Sequence, residues 1–353
     1  MRILNAIYKN CLDGSNYIEN LDITEKKENK PLLNQALKKF DQTFQTLFPK
    51  EILGFIKSDI HHKITYNTTI CGKNITVNFY TSTQYSNTKL HNMIYKVFLI
   101  IYVLNLYAST RCSKKMIIDI YLTPFKRYMP ENTDDILEPI NINGGFSTAG
   151  CINTGNITIY REEEWYKVLI HELFHNFNLD FATMNIDKFT KILQNKIGVQ
   201  SDYAIYETYC ETWARILNVI VISFLETKQK QKQAFLSTFH ELIAEEQLFS
   251  MMQCNKIYKR MTSKNIYREN TNALCYYVFV GALMFNYKRF LRWCDGGEQI
   301  KFVNTIKNVD SFLSLLLKEY NNPEFLDAIE YVDTLKLGKY KNSLRMTKGR
   351  GQS

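Results

Sequence analysis

The stretch His171-Glu172-Leu173-Phe174-His175 constrains this chain more than any other. It sits inside REEEWYKVLIHELFHNFNLD, residues 161–180. Read as a helix, the four-residue spacing puts both imidazoles on one face, a turn apart, where they can share one ion. Glu172 follows the first histidine and can reach a water beside that ion without being a ligand, the general-base position of a metal-dependent hydrolase. The chain has only 6 histidines, so an accidental HExxH is expected on the order of once per hundred such chains. The competing reading is two histidines packed on a helix with no chemistry between them. The motif's context favours the metal, because Asn156–Arg161, NITIYR, reads as a strand leading into the helix. The ion implied by two imidazoles and a carboxylate is Zn2+.

A catalytic zinc site needs a third protein ligand and an open position. Six residues beyond His175 stands Phe181, which excludes the zincin group with a His or Asp there. Asp180 is one residue short of that spacing and reads as a helix-end residue, or as one that orients a ligand histidine from behind. The helix around YAIYETYCETWA, residues 203–214, offers Glu207 and Glu211, four apart on one face. Their neighbours Ile205, Tyr209, Trp213 and Ala214 are core types, and acids on an apolar helix need a partner. Glu211 is the preferred ligand. Glu207 is the alternative, and otherwise the residue that holds a ligand histidine in its tautomer.

Hydrophobic residues make up 45% of the 353 and charged residues 22%, which excludes a disordered chain. The net charge is +9, but Lys336, Lys339, Lys341, Arg345, Lys348 and Arg350 carry most of it with no acid among them. The basic character therefore belongs to a tail, read as a solvated terminus or as a contact for nucleic acid or an acidic partner. The 8 cysteines are scattered without a CxxC pair. That pattern predicts no disulfide framework and a reducing, cytoplasmic setting. The N-terminus lacks the apolar run of a signal peptide. Val97–Ala108, VFLIIYVLNLYA, is too short to span a bilayer and reads as a buried helix, so no membrane contact is expected.

Along the chain, residues 1–30 read as a polar segment without pattern, and Pro31 opens a helix-like run to Phe48. KITYNTT and NITVNFYTS flank Cys71-Gly72-Lys73-Asn74 as a hairpin. Residues 89–108 form the buried helix, and Met116–Thr123 a strand. Acids at Glu162–Glu164 suit the first turn of the HExxH helix. Beyond it, helical periodicity covers residues 186–197, 203–225, 229–252, 272–293, 298–320 and 324–335. The domain reading is a polar segment 1–30, an α+β part 31–180, a helical part 181–335 and a basic tail 336–353.

HELFH, followed 32 or 36 residues after His175 by Glu207 or Glu211, resembles the gluzincin group of zinc metallopeptidases. Glu211-Thr212-Trp213-Ala214 matches that group's E-x-x-A form of the third-ligand motif, and Glu207 with Glu211 its E-x-x-x-[DE] form. More narrowly, GGFSTAG, NITIYREEEWYKVLIHELFHNFNLDF and YETYCETWA, within residues 140–215, resemble the metallopeptidases inferred in large nucleocytoplasmic DNA viruses. The resemblance implies an α+β, zincin-like fold, a mixed helix-and-sheet part with the active-site helix followed by a mostly helical part. It implies a zinc peptidase acting on a protein or peptide, in a host cytoplasm or virion. It also implies that the strand before the HExxH helix is the edge strand that pairs with substrate, through Asn156, Ile157, Thr158, Ile159 and Tyr160. The alternative is a viral structural or interaction protein that keeps the scaffold with a structural metal. A donor to the developing oxyanion would come from Tyr203, Tyr206, Tyr276, Tyr277 or His240. His240-Glu241-Leu242-Ile243-Ala244 begins like the motif but lacks its second histidine, and His61-His62 point apart.

Overall fold

The computed structural model describes residues 2–29, 46–132, 134–263, 267–295, 305–335 and 338–349. The helix-like run after Pro31 and the start of the 298–320 run lie outside them. The chain divides into two compact units. One is formed by Lys9–Lys126 and Gly144–Asn178, the other by Met1–Tyr8, Arg127–Asn143 and Leu179–Arg350.

The first unit is built on a six-stranded mixed sheet of order β1-β2-β3-β4-β6-β5. The strands are β1 Thr24–Asn29, β2 His62–Ile70, β3 Lys73–Thr81, β4 Lys115–Tyr121, β5 Gly145–Ser147 and β6 Thr154–Ile159. The β2–β3 hairpin turns at Cys71 and Gly72, both at positive φ, the conformation that a tight two-residue turn requires. β3, β4 and β6 run parallel, and β5 returns antiparallel on β6.

Register assigns the two faces of the sheet. Val77 lies opposite Ile118, and Ile118 opposite Ile157; Phe79, Ile120 and Ile159 form the next row. Strand side chains alternate, so this face is apolar across β3, β4 and β6. After α1 (Arg2–Ile18) and α2 (Lys50–Asp59) in the chain come α3 (Asn87–Asn105) and α4 (Trp165–Asn176), which pack together beside this face. Trp165 meets Phe79 edge-on at 6.0 Å. The other face carries Tyr80 stacked on Tyr121 at 4.3 Å, and the Asn78–Asp119 hydrogen bond of 2.8 Å. Phe48 closes over it against Tyr121 and Phe146.

The second unit is helical: α5 Asp187–Ile197, α6 Ile205–Glu226, α7 Lys232–Thr262, a π-helical turn Leu274–Phe279, α8 Val280–Phe285, α9 Tyr287–Cys294, α10 Ile306–Tyr320 and α11 Pro323–Asp333. α6 is buried along most of its length. The coarse expectation of a mixed sheet part and a helical part agrees with these elements.

Four expectations need correction. Residues 1–30 are not unpatterned: α1 spans Arg2–Ile18 and buries Ile3, Leu4, Ile7, Cys11 and Ile18, a helical stripe diluted by polar residues between. β1 follows it. Glu162–Glu164 precede α4 rather than forming its first turn, because Glu164 stands at φ 63 and the helix begins at Trp165. Cys112 and Cys151 form a disulfide, so scattered cysteines do not mean unpaired ones. Their partnership follows from the sheet, where Lys115 lies opposite Thr154 and brings the preceding loops together. Finally, residues 338–349 of the basic tail are not a frayed end. Leu344, Met346 and Thr347 are buried. Leu344 N–H donates to Arg127 O, and Thr347 Oγ1 to Glu246 at 2.7 Å. Lys256 donates to Ser343 O at 2.7 Å, and burial pushes its ammonium down to about 8. Lys348 pairs with Glu245 at 2.9 Å, whereas Lys339 and Lys341 stay exposed. Among the described residues, no helix is long and apolar enough to cross a membrane.

Candidate metal centre

Every residue of α4 is buried, which is why its sequence reads largely apolar, with Lys167 and Asn176 the charged and amide exceptions outside the motif. Its start is fixed by Tyr166, whose hydroxyl donates to Lys96 O on α3 at 3.1 Å. Its end is a stop at Asn178, at φ 54, whose N–H returns to His175 O; asparagine tolerates this left-handed position better than most residues.

The last turn is gripped from the sheet. Ser113 Oγ donates to Asn176 Oδ1 at 2.7 Å and lies 3.0 Å from Asn176 O. Asn176 Nδ2 donates to the Thr148 carbonyl and hydroxyl at 3.3 Å, and Gly150 N–H donates to His175 O at 3.1 Å. The Asn176 amide occupies the space above Gly155, where an added Cβ would lie 2.2 Å from Oδ1 and 2.4 Å from Nδ2. Gly155→Ala is therefore expected to destabilise the fold by about 1–3 kcal/mol. Urea unfolding measures this, and an unchanged midpoint would show that Asn176 moves aside at no cost.

This anchoring brings His171 Nε2 and His175 Nε2 to 3.1 Å of each other, with both rings buried. Two nitrogens each about 2.0–2.1 Å from one ion at a tetrahedral angle would be separated by about 3.3 Å. The pair thus has a spacing close to that of two ligands sharing one metal ion.

Glu172 lies between them in sequence and points to β5. Ser147 Oγ donates to Glu172 Oε2 at 2.7 Å, and a Cβ on Gly145 would lie 3.5 Å from Glu172 Oε1. Gly145 and Ser147 share a face because the strand alternates, and they share it with Ile159 and Ile157 opposite them.

The edge-strand expectation for Asn156–Tyr160 does not hold. β6 is flanked by β4 on one side and β5 on the other. Asn156 O and Tyr160 N–H are already bonded to Thr148 N–H and Gly144 O. The outer strand beside β6 is β5. Since Gly144 and Thr148 turn their backbone groups to β6, alternation turns those of Gly145 and Ser147 away from it. The sequence reading missed a three-residue strand hidden in a glycine-containing loop.

In the helical unit, Glu211 is 1% exposed and its Oε1 accepts from Arg215 Nε at 3.0 Å. Arg215 also donates to Ser250 Oγ at 2.8 Å and to Tyr276 O at 3.0 Å. Glu207, one turn earlier and half-buried, accepts from the Tyr276 hydroxyl at 3.0 Å. Tyr276 belongs to the π-helical turn, a local widening common at functional positions. Asp180 stands in the loop after α4; one oxygen accepts from Ala182 N–H and the other from Cys210 Sγ, each at 3.2 Å. Among the described residues, His, Glu, Asp and Cys side chains form clusters that could bind a metal.

The other candidates have structural engagements. The Tyr203 hydroxyl donates to Val199 O at 2.7 Å, and the buried Tyr277 hydroxyl to Leu344 O. His61 and His240 are exposed. The chain matches no family model, no curated protein and no solved structure.

Proposed function

We propose that this chain is a zinc-dependent metallopeptidase. The observation that carries the reading is the approach of two buried imidazole nitrogens, His171 Nε2 and His175 Nε2, to 3.1 Å on either side of Glu172 in the motif. His171, His175 and Glu207 would hold the zinc. Glu207 is preferred to Glu211 because the Glu211 carboxylate is bound to Arg215 inside the helical unit. The Tyr276 hydroxyl orients Glu207 through its hydrogen bond.

When bound, zinc lowers the pKa of a coordinated water to about 7 and polarises a carbonyl. Glu172 takes the proton of the attacking water and passes it to the leaving amine. Ser147 keeps the Glu172 carboxylate in one orientation for that transfer. Substrate backbone pairs with Gly145 and Ser147 of β5, in the manner of an added strand. That places the peptide beside Glu172, since the same two residues face it.

Metal removal tests the reading. The purified chain is expected to bind one equivalent of zinc and to cleave members of a mass-spectrometric peptide library. A chelator should abolish cleavage, and added zinc should restore it. His171→Ala should lose the zinc. A chain that binds zinc but cleaves nothing would favour a structural metal on a non-catalytic scaffold; one that binds none would defeat both.

A further inference from the structure

We infer that Cys112–Cys151 is a thiol–disulfide exchange site that controls how firmly the last turn of α4 is held. This regulation rests on the metallopeptidase reading only for its consequence at zinc.

The two sulfurs lie on the two segments that grip His175 and Asn176. Cys112 precedes Ser113, whose hydroxyl donates to Asn176. Cys151 follows Gly150, whose N–H donates to His175 O. The two segments also bind each other, through Ser113 N–H to Ile152 O at 2.6 Å. Ser113 stands at φ 50 and Gly150 at φ 91. A non-glycine residue held in the left-handed region is strained and persists only where its surroundings enforce it. The bond thus closes a clip around the C-terminal turn that carries the second motif histidine.

Cys112 is buried and Cys151 exposed, so a small thiolate can approach from the Cys151 side. Attack of glutathione thiolate on Cys151 Sγ forms a mixed disulfide, breaks the protein S–S bond and releases Cys112 as thiolate. A second glutathione attacks the mixed disulfide at the glutathione sulfur, giving glutathione disulfide and the Cys151 thiolate. Two electrons pass from two glutathiones to the protein pair, and the protons of the two glutathione thiols end on the cysteines. Oxidation reverses each step with glutathione disulfide as oxidant.

Reduction leaves the hydrogen bonds of Ser113 and Gly150 without their covalent tie. Groups that orient a metal-ligating histidine commonly affect metal affinity by about 10–100-fold, and this sets the size expected here. The experiment uses the full chain, oxidised or reduced by excess glutathione, with alkylation and mass spectrometry identifying the pair. Two quantities are read: zinc affinity against a competing chromophoric chelator, and hydrogen exchange of segments 110–116 and 148–154. Reduction should weaken zinc by about 10–100-fold and speed exchange in both segments. Glutathione disulfide should reverse both, and Cys112→Ser should reproduce the reduced state. Unchanged exchange on reduction, or a pair that stays oxidised in excess glutathione, overturns the inference. If the oxidised chain binds no zinc, the metallopeptidase reading fails, while exchange still decides the clip.

Discussion

Glu172→Gln is expected to keep zinc at the native affinity and to cleave peptides about 10²–10⁴-fold more slowly, the range lost when a positioned general base is removed. The substitution is nearly isosteric. The glutamine carbonyl can accept from Ser147 Oγ as the carboxylate does, so the side chain should keep its place over β5. The imidazoles of His171 and His175 do not depend on Glu172 for their approach; it follows from helical spacing and from the grip on Asn176. Metal and chemistry should therefore separate cleanly. Zinc content by elemental analysis and kcat/KM on one library-derived peptide make the comparison. Cleavage at the native rate with zinc bound would show that Glu172 is not the base.

The parts of the molecule that were legible in the sequence are those whose pattern is local. The β2–β3 hairpin announced itself through Cys71-Gly72, and α3 through its apolar run. The HExxH spacing sufficed to bring two nitrogens together because a helix converts four residues into one turn. The parts that escaped are set by what lies beside them. β5 is three residues long and carries no alternation to detect, yet its presence moves the open edge of the sheet from Asn156–Tyr160 to Gly145–Ser147. The Cys112–Cys151 pair is 39 residues apart and meets only because β4 and β6 are neighbours. The tail looked like a charged end because its basic residues outnumber Leu344 and Met346, which are the ones that pack. One missed signal was present. Arg215 stands four residues after Glu211, the spacing of a helical ion pair, and it offers Glu211 a partner other than a metal.

That pair yields the second large effect, a contrast between two glutamates one turn apart. Glu207→Ala is expected to lose zinc while unfolding near the native midpoint, because Glu207 is half-buried and its hydrogen-bonding Tyr276 can turn to water. Glu211→Ala is expected to destabilise the fold by about 3–5 kcal/mol, because it leaves Arg215 charged and buried without its carboxylate. Arg215 is itself 0% exposed and tied to Ser250 and to the Tyr276 carbonyl, so it cannot swing out to be solvated. The Glu211–Arg215 pair is therefore expected to act on zinc only indirectly, by fixing the backbone of the π-helical turn from which Tyr276 reaches Glu207. Replacing both partners at once, Glu211→Leu with Arg215→Met, removes the unpaired charge and should recover most of the lost stability. In that double variant zinc binding should persist if Glu207 is the third ligand. Thermal melts and zinc titrations on the three variants decide the matter. A stable Glu211→Ala that has lost its zinc would return the ligand role to Glu211.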